Sequence, residues 1–318
     1  MYADYGMVEV ISMMELRSKY VWMDGELVPW ENAKVHIMVH ALHYGSAVFE
    51  GIRCYKTENG PAIFRLKEHI DRLFFSAGVY KMEIPYTKEE IMRACIEVVR
   101  ANEFEDCYIR PLVYKGFGSM DVYPKDAPVN VAIMAWRWGA YLGKALEEGA
   151  RVITSSWVKP APNMLPMMAK VSGHYTNSYL AKMEAVERGA NEAILLDHRG
   201  FVSEGSGENI FVVKDGKIYT PPVHASILVG VTRDTVMTLA RDMGYEVVEK
   251  DITKTELYGA DEVFFTGTAA EVTPVVEIDG RKIGDGKPGL VTRALQRKFF
   301  DVVRGRDERY LHWLTFVY

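Results

Sequence analysis

The stretch IFVVKDGKIYTPP, residues 210–222, carries an Asp-Gly pair between two apolar runs. Asp215-Gly216 reads as a two-residue hairpin turn, because both central positions of that turn need positive φ. The pattern recurs in YVWMDGELVPW at Asp24-Gly25 and in VVEIDGRKIG at Asp279-Gly280. Helical periods lie between these hairpins. RLKEHIDRLFFSAG sets Leu66, Ile70, Leu73, Phe74 and Ala77 on one face. TKEEIMRACIEVVRANEF opens with Thr87 and Glu90 at capping-box spacing. TRDTVMTLARDMG aligns Val236, Leu239, Ala240 and Met243 and stops at Gly244. Hairpins mixed with helices predict an α/β (mixed α+β) fold with mixed sheets, not a purely parallel, doubly wound one.

A chain of 318 residues has room for about two domains. The boundary is expected in WRWGAYLGKALEEGAR, residues 136–151, after the Pro-containing YPKDAPVN. Hydrophobic residues make up 48% and charged residues 25%, the balance of a soluble globular protein. A net charge of −5 without a basic cluster argues against a nucleic-acid footprint. Cys54, Cys95 and Cys107 form no CxxC pair, so reduced thiols in a cytoplasmic protein are the simpler reading. No run approaches the roughly 18 apolar residues of a membrane span. Asp4 and Glu9 precede the first basic residue, Arg17, which reverses the charge pattern of a secretory signal.

Several constellations could carry chemistry. His36, His40 and His43 in VHIMVHALHYG have helical metal-face spacing, but no further ligand or second-shell acid lies within the segment. Val35, Ile37 and Val39 alternate with His36, Met38 and His40, which fits a strand, and no metal is expected. KGFGSMDV and SEGSGENI complete neither a P-loop nor GxGxxG, and taken alone are turns. In ILVGVTRDTVMTLA, Gly230 and Thr232 stand where a loop enters a helix, a place that favours an anion. FFTGTAAEVTP repeats the theme with Gly267 and Thr268, and with Arg65 the two turns would make a phosphate cup. Glu204 in FVSEGSGENIFVV is either a solvated turn residue or an acid for a buried ring nitrogen. Lys170 in LPMMAKVSGHY, residues 165–175, follows Met167, Met168 and Ala169. Either its stem covers apolar surface, or its amine does chemistry. A lysine amine, a phosphate cup, a ring acid and several tyrosines are together the parts that pyridoxal phosphate needs.

These words have a family. HALHYGSAVFEGIRCY, YIRPLVY, WGAYLG, SSWVKPAPNMLPMMAK, SEGSGENIFVVKDG, VGVTRD, LYGADEVFFTGTAAEVTPV and DGRKIGDG run in order from about residue 21 to the C-terminal LHWL. Through them the chain resembles the branched-chain amino acid aminotransferases of the fold-type IV pyridoxal phosphate family. The resemblance implies two domains with the active site between them. It reads 1–18 as an N-terminal extension, 19–137 as a small α/β domain, 138–149 as an interdomain loop and 150–318 as a large cofactor-binding domain. Lys170 matches the Schiff-base lysine and general base, Glu204 the acid at the pyridine nitrogen, and Tyr175 the tyrosine near the phenolate oxygen. Arg65, Val231, Thr232, Gly267 and Thr268 match the phosphate site, with Gly207 and Asn209 in the cofactor loop. Tyr108, with the backbone at Thr268 and Ala269, matches the group that holds the substrate α-carboxylate. Tyr44, Phe49, Gly51, Trp138 and Tyr141 match the side-chain pocket. Arg110 matches the arginine that meets glutamate's side-chain carboxylate, with the Tyr44 and Tyr141 hydroxyls.

The implied reaction moves an amino group between L-leucine, L-isoleucine or L-valine and 2-oxoglutarate by a ping-pong cycle. To act as a base Lys170 must be neutral, so burial lowering its pKa to roughly 7–8 would help. In the family a loop from the neighbouring subunit closes the pocket. Here that loop is GFGSMDVYP, with Met120 and Val122 as lining residues, so a homodimer at minimum is implied. The run Val171-Ser172-Gly173-His174 departs from the family pattern of smaller residues and an asparagine, which touches cofactor packing and not the chemistry. D-amino acid aminotransferase and aminodeoxychorismate lyase share the fold, but HYGSAVFEGIR and YIRP favour the branched-chain enzyme. A silent homologue would lack Lys170 or Glu204, and both are present.

Overall fold

The computed structural model describes residues 17–139 and 141–318, so the start of the expected extension, residues 1–16, lies outside the described residues. The described chain forms two compact units, each assembled from separated stretches. The first runs to Trp138 and adds Ala169–Tyr175 and Asp301–Tyr318. The second comprises Gly139–Met168 and Thr176–Phe300. No helix among the described residues is long and apolar enough to cross a membrane.

The first unit contains strands β1 (Tyr20–Met23) and β2 (Glu26–Pro29), the short helix α1 (His40–Tyr44), and strands β3 (Ala47–Phe49), β4 (Ile52–Thr57) and β5 (Gly60–Phe64). Helices α2 (Leu66–Val79) and α3 (Lys88–Ala101) follow, then β6 (Cys107–Lys115) and β7 (Val129–Trp136). The sheet order is C-terminal strand Leu314–Phe316, β5, β4, β6, β7, β1, β2, with β3 also on β6. Asp24 and Gly25 take φ of 46° and 105°, the turn that the Asp-Gly pair demanded. Helix α2 buries Leu66, Ile70, Leu73 and Ala77 against the sheet, together with His69 and Ser76, whose polarity hid them from the periodic reading. Helix α3 starts with the expected box, the Thr87 side chain accepting from the Glu90 N–H and the Glu90 carboxylate from the Thr87 N–H.

The second unit opens with α4 (Ala145–Glu148) and β8 (Ala150–Val158), then α5 (Tyr175–Glu187), which begins at the last residue of the first unit's middle stretch. It continues through β9 (Glu192–Leu196), β10 (Val202–Gly205), β11 (Asn209–Lys214), β12 (Lys217–Thr220), α6 (Val231–Asp242), β13 (Val247–Glu249) and α7 (Lys254–Tyr258). Strands β14 (Glu262–Gly267), β15 (Glu271–Ile278) and β16 (Arg281–Lys282) and helix α8 (Leu290–Val303) complete it. The order β10, β9, β8, β15, β14, β11, β12, β13, with β16 on β15, is mixed: β8 runs parallel to β9 and to β15, and β12 parallel to β13. Both remaining Asp-Gly pairs form hairpins at positive φ, and α6 ends just before Gly244 at φ 86°.

One expectation fails. Residues 35–39 form no strand, since Val35 and Ile37 are exposed and no described strand pairs with their backbone. The alternation there is an accident of composition in a turn that leads into α1. The three histidines make local bonds instead: His40 to Ser46 Oγ (2.7 Å) and the Asp121 carbonyl (2.9 Å), His43 to the Ile37 carbonyl (2.9 Å), and His36 accepting from the Met38 N–H (3.1 Å).

The turn after α1 positions the rest of the first unit. Gly45 sits at φ 65°, and a Cβ there would lie 2.7 Å from the Gly173 Cα. That closeness lets the Gly173 N–H reach the Gly45 carbonyl (3.2 Å), Val48 bridge Val171, and the Phe49 N–H reach the Lys170 carbonyl (3.1 Å). A Gly45→Ala variant combines left-handed strain with a backbone clash and should lose about 1–3 kcal/mol in urea unfolding. Wild-type stability would show that the approach is not required.

Candidate functional site

The first unit gathers its chemistry around Lys170. The Lys170 N–H donates to Ser76 Oγ on α2 (3.0 Å), while its carbonyl is held by Phe49. Two fixed backbone bonds therefore aim the side chain. Its Nζ donates to the Tyr175 hydroxyl at 2.5 Å and lies 4.9 Å from the Phe49 ring centroid and 5.0 Å from that of Tyr175. Burial first, and then the positive charge of Arg72, bring the amine down to about 8, against an opposing pull from Glu50.

Below this lysine lies a charge network that sequence reading missed. The strand is interrupted between β3 and β4 at Glu50-Gly51, and Glu50 becomes completely buried. Its Oε1 accepts from Arg72 Nε (2.6 Å), and its Oε2 from Arg72 NH2 (2.8 Å), with His69 Nδ1 2.7 Å from the same oxygen. Burial alone would raise the Glu50 carboxyl, but the Arg72 charge and hydrogen bonds, with His69 behind them, hold it far below the carboxylate range. The available signal was the acid itself, standing in the apolar run SAVFEGIRCY.

An aromatic wall follows on β6 and β7. Tyr108 packs on Trp136 (4.9 Å between centroids) and Trp138 (4.7 Å). Gly51 is forced to be glycine here, because a Cβ would lie 1.8 Å from the Tyr108 hydroxyl. The Arg110 guanidinium stands 4.6 Å from the Phe49 centroid, 5.2 Å from Tyr108 and 5.6 Å from Trp136, and donates to the Tyr108 hydroxyl at 3.1 Å. Arg110 Nε and Trp136 Nε1 are buried without a hydrogen-bond partner among the described residues, so this wall retains unused donors. Phe49, Gly51, Tyr108, Arg110, Trp138, Lys170 and Tyr175 thus all lie in the first unit.

Arg65 is buried at the start of α2 at φ 51°, with Nε 2.8 Å from Glu68 and its guanidinium 4.8 Å from the Trp313 ring centroid. Tyr44 is half-exposed and donates to the Met120 carbonyl (3.3 Å), while Val122 is 85% exposed. The hydroxyl that Arg110 binds is that of Tyr108, and the Tyr44 hydroxyl is turned to Met120 instead. A separate apolar cavity of about 390 Å3, lined by Val21, Met23, Leu112, Tyr114, Ala132 and Met134 among others, uses none of the expected site residues.

The second unit gathers the remaining residues at one end of its sheet. A bulge at Ser203 in the β10–β9 pairing re-aims Glu204, which is buried. Glu204 Oε2 accepts from Asn209 Nδ2 and from the Leu228 N–H, both at 3.0 Å. Asn209 faces Thr266 across β11 and β14, and its Oδ1 would lie 2.1 Å from a Cβ on Gly230. Gly230 begins α6 with no side-chain cap, so the first-turn N–H groups of Val231 and Thr232 remain open to an anion. The β14–β15 turn, with Gly267, Thr268 and Ala269, lies beside Gly207, whose carbonyl is 3.4 Å from where a Gly267 Cβ would be. Tyr141 also belongs to this unit, its ring 5.1 Å from Lys182 Nζ. Burial and the charge of Glu192 push the Glu208 carboxyl up to about 8, a second feature that sequence reading missed.

Each unit by itself offers donors of the kind pyridoxal phosphate needs: in the first the tuned amine of Lys170 suits an aldehyde, and in the second the open N–H groups of α6 suit a phosphate and the Glu204 carboxylate a protonated ring nitrogen.

Comparison with known proteins gives the same picture. The amino-transferase class IV family matches residues 47–278. A branched-chain-amino-acid aminotransferase of Pseudomonas aeruginosa is 52% identical over 302 residues, covering 95% of this chain and 98% of the relative. The crystal structure of the Escherichia coli branched-chain amino acid aminotransferase superposes with a TM-score of 0.93 at 47% identity, covering 95% of this chain and all of that one. A T.th. branched-chain amino acid aminotransferase complexed with N-(5'-phosphopyridoxyl)-L-glutamate gives 0.91 at 51% identity, with 95% and 100% covered.

Replacing Glu50 by alanine leaves Arg72, its side chain 13% exposed, without the Glu50 anion and should cost about 3 kcal/mol in denaturant unfolding at pH 7. Because the folded carboxyl is held low, its contribution is present above about pH 4.3 and fades as pH falls further. Glu50→Gln should therefore make the acid limb shallower than that of the parent protein, the other lowered carboxyls, Glu256 and Asp279 among them, keeping the rest. An unchanged slope would mean that the network does not carry it.

Proposed function

The chain belongs to the amino-transferase class IV family, and we propose that it is a pyridoxal phosphate-dependent branched-chain amino acid aminotransferase working between L-leucine, L-isoleucine or L-valine and 2-oxoglutarate. The observation that carries this reading is Lys170 itself: a lysine fixed by two backbone bonds, paired with Tyr175, its amine brought to about 8. Bound pyridoxal 5'-phosphate supplies an aldehyde for that amine and a ring that takes up the charge left when the substrate Cα loses its proton.

The chain's own residues supply the rest. When free, Lys170 Nζ removes the proton from Cα and later returns one, a task that needs an amine neutral near working pH. Tyr175 fixes that nitrogen through its hydroxyl. Glu204, already bound by Asn209 and the Leu228 N–H, receives the ring N–H. Arg65 and the α6 N-terminus, with Val231 and Thr232, and the turn at Gly267 and Thr268 take the phosphate. Gly207 and Asn209 shape that end of the sheet. The Tyr108 hydroxyl, with the Thr268 and Ala269 backbone, holds the substrate α-carboxylate. Phe49, Gly51, Trp138 and Tyr141 receive the side chain.

Arg110 answers the demand that one pocket take both leucine and glutamate. Its open Nε suits a carboxylate, and the surrounding ring faces suit an alkyl chain. The complex of the T.th. enzyme with phosphopyridoxyl-glutamate supports glutamate and its oxo acid as one substrate pair. Tyr44 and Val122 are exposed, with the Met120 carbonyl bonded to Tyr44. We assign these three to the pocket of a neighbouring copy, making the working form at least a homodimer. Three buried free thiols suit the cytoplasm. D-amino acid aminotransferase and aminodeoxychorismate lyase activities are the alternatives that the test must separate.

The test is visible absorption of protein supplied with pyridoxal phosphate, followed by L-leucine, L-glutamate or D-alanine. The yellow band should fade with both L-amino acids and persist with D-alanine. A response to D-alanine alone moves the assignment to the D-amino acid branch. Lys170→Ala should keep no cofactor covalently attached after borohydride reduction, where the parent protein does, and lose about 10²–10⁴ in kcat. Cofactor that borohydride still fixes to that variant at the same site would end the role given to Lys170.

A further inference from the structure

A second buried lysine takes part in the Glu204 arrangement. Lys159 follows β8 and is 4% exposed, and its Nζ lies 2.6 Å from Glu204 Oε1. Both residues are anchored to the same end of β9. The Lys159 N–H donates to the Leu196 carbonyl (2.8 Å), while Glu204 pairs with Leu195 beyond the bulge. Pro160 restricts Lys159 to extended backbone, so its side chain leaves a pinned Cα. Such a residue is costly, because ordering a long lysine side chain loses rotamer entropy. A buried ion pair rarely returns more stability than an apolar pair of the same volume. Stability alone therefore gives little reason to keep an ammonium here.

The acceptor positions of Glu204 suggest the reason. A carboxylate oxygen takes two hydrogen bonds. Oε2 has both, from Asn209 and the Leu228 N–H, whereas Oε1 has the Lys159 ammonium and one position left. With Asn209 and Leu228 gripping one oxygen, Lys159 is the one group among the described residues that fixes the other. We propose that Lys159 is a positioning residue for cofactor binding, holding Glu204 so that the last acceptor position on Oε1 points where a ring N–H must be received. This rests on the role given to Glu204 above. Lys159 touches neither substrate nor reacting atoms in this account. It acts through the carboxylate, and does so before the cofactor arrives.

The experiment measures pyridoxal 5'-phosphate affinity of the cofactor-free full chain by equilibrium dialysis, and the induced visible circular dichroism of the bound cofactor. The variants are Lys159→Met, Lys159→Gln, Lys159→Arg, Glu204→Gln and the double variant K159M/E204Q. Loss of one oriented charged hydrogen bond predicts about tenfold weaker binding and a diminished dichroic band for Lys159→Met, with Lys159→Arg restoring both. In the Glu204→Gln background, Lys159→Met should change affinity by less than about twofold, because nothing remains to position. Lys159→Gln, polar and similar in length, replaces the methionine variant should that one melt early, and carries the same expectation. Wild-type affinity and dichroism in a folded Lys159→Met or Lys159→Gln protein overturn the proposal. So does an undiminished loss in the double variant, which marks Lys159 as merely structural. Unaltered binding and dichroism in Glu204→Gln instead overturn the role of Glu204 itself.

Discussion

The carboxylate of Glu50 is the charge on which the Lys170 site depends. Arg72, Arg110 and Lys170 all bring positive charge to one side of the first unit's sheet, and Glu50 is the anion that acts on Arg72 and Lys170 together. Without it, Arg72 would bear on Lys170 unopposed. With it, the lysine feels burial first, then Arg72, with Glu50 pulling back, and the amine settles near 8 rather than lower. The backbone makes this possible. Interrupting the strand at Glu50-Gly51 buries Glu50 against His69 and Arg72, while the neighbouring Phe49 keeps its N–H on the Lys170 carbonyl. One local break thus serves packing, charge balance and the aim of the lysine.

The second unit reaches its arrangement by close approach rather than by charge alone. Asn209 occupies the space a side chain on Gly230 would need, and in return it binds both Glu204 and the Leu228 carbonyl. The segment that leads into α6 and the acid on β10 are therefore held to one another through a single amide. A glycine at 230 is the condition for that lock, since an added Cβ would meet Asn209 Oδ1 at 2.1 Å.

What could be read from the sequence follows from how local each signal is. The three Asp-Gly turns, the Thr87 box and the Gly244 stop are decided within a few residues, and each appears as expected. The mixed sheets followed from them. The run at 35–39 misled because alternation signals a strand only where a partner strand exists, and among the described residues none pairs there. The site was legible mainly as words shared with a family, and no spacing rule would have joined Lys170 to Ser76 or Phe49. Glu50, Arg72 and Lys159 escaped because each is defined by a partner 19 or more residues away in sequence, as the Glu50–His69, Glu50–Arg72 and Lys159–Glu204 pairs show. A charged residue in an apolar run says only that something distant must compensate it.

Arg110 shows how a half-buried charge can be compensated without another acid. Its polar contact, one hydroxyl of Tyr108, is modest, and its charge is met largely by three ring faces. Cation–π attraction of about 0.5–2 kcal/mol per ring offsets part of the desolvation cost while leaving Nε uncommitted. A competing carboxylate would have bound the arginine more tightly and blocked glutamate. Under the role proposed for Arg110, the rings do what an acid could not: they stabilise the cation when the substrate is apolar and offer no rival anion when the substrate carries its own.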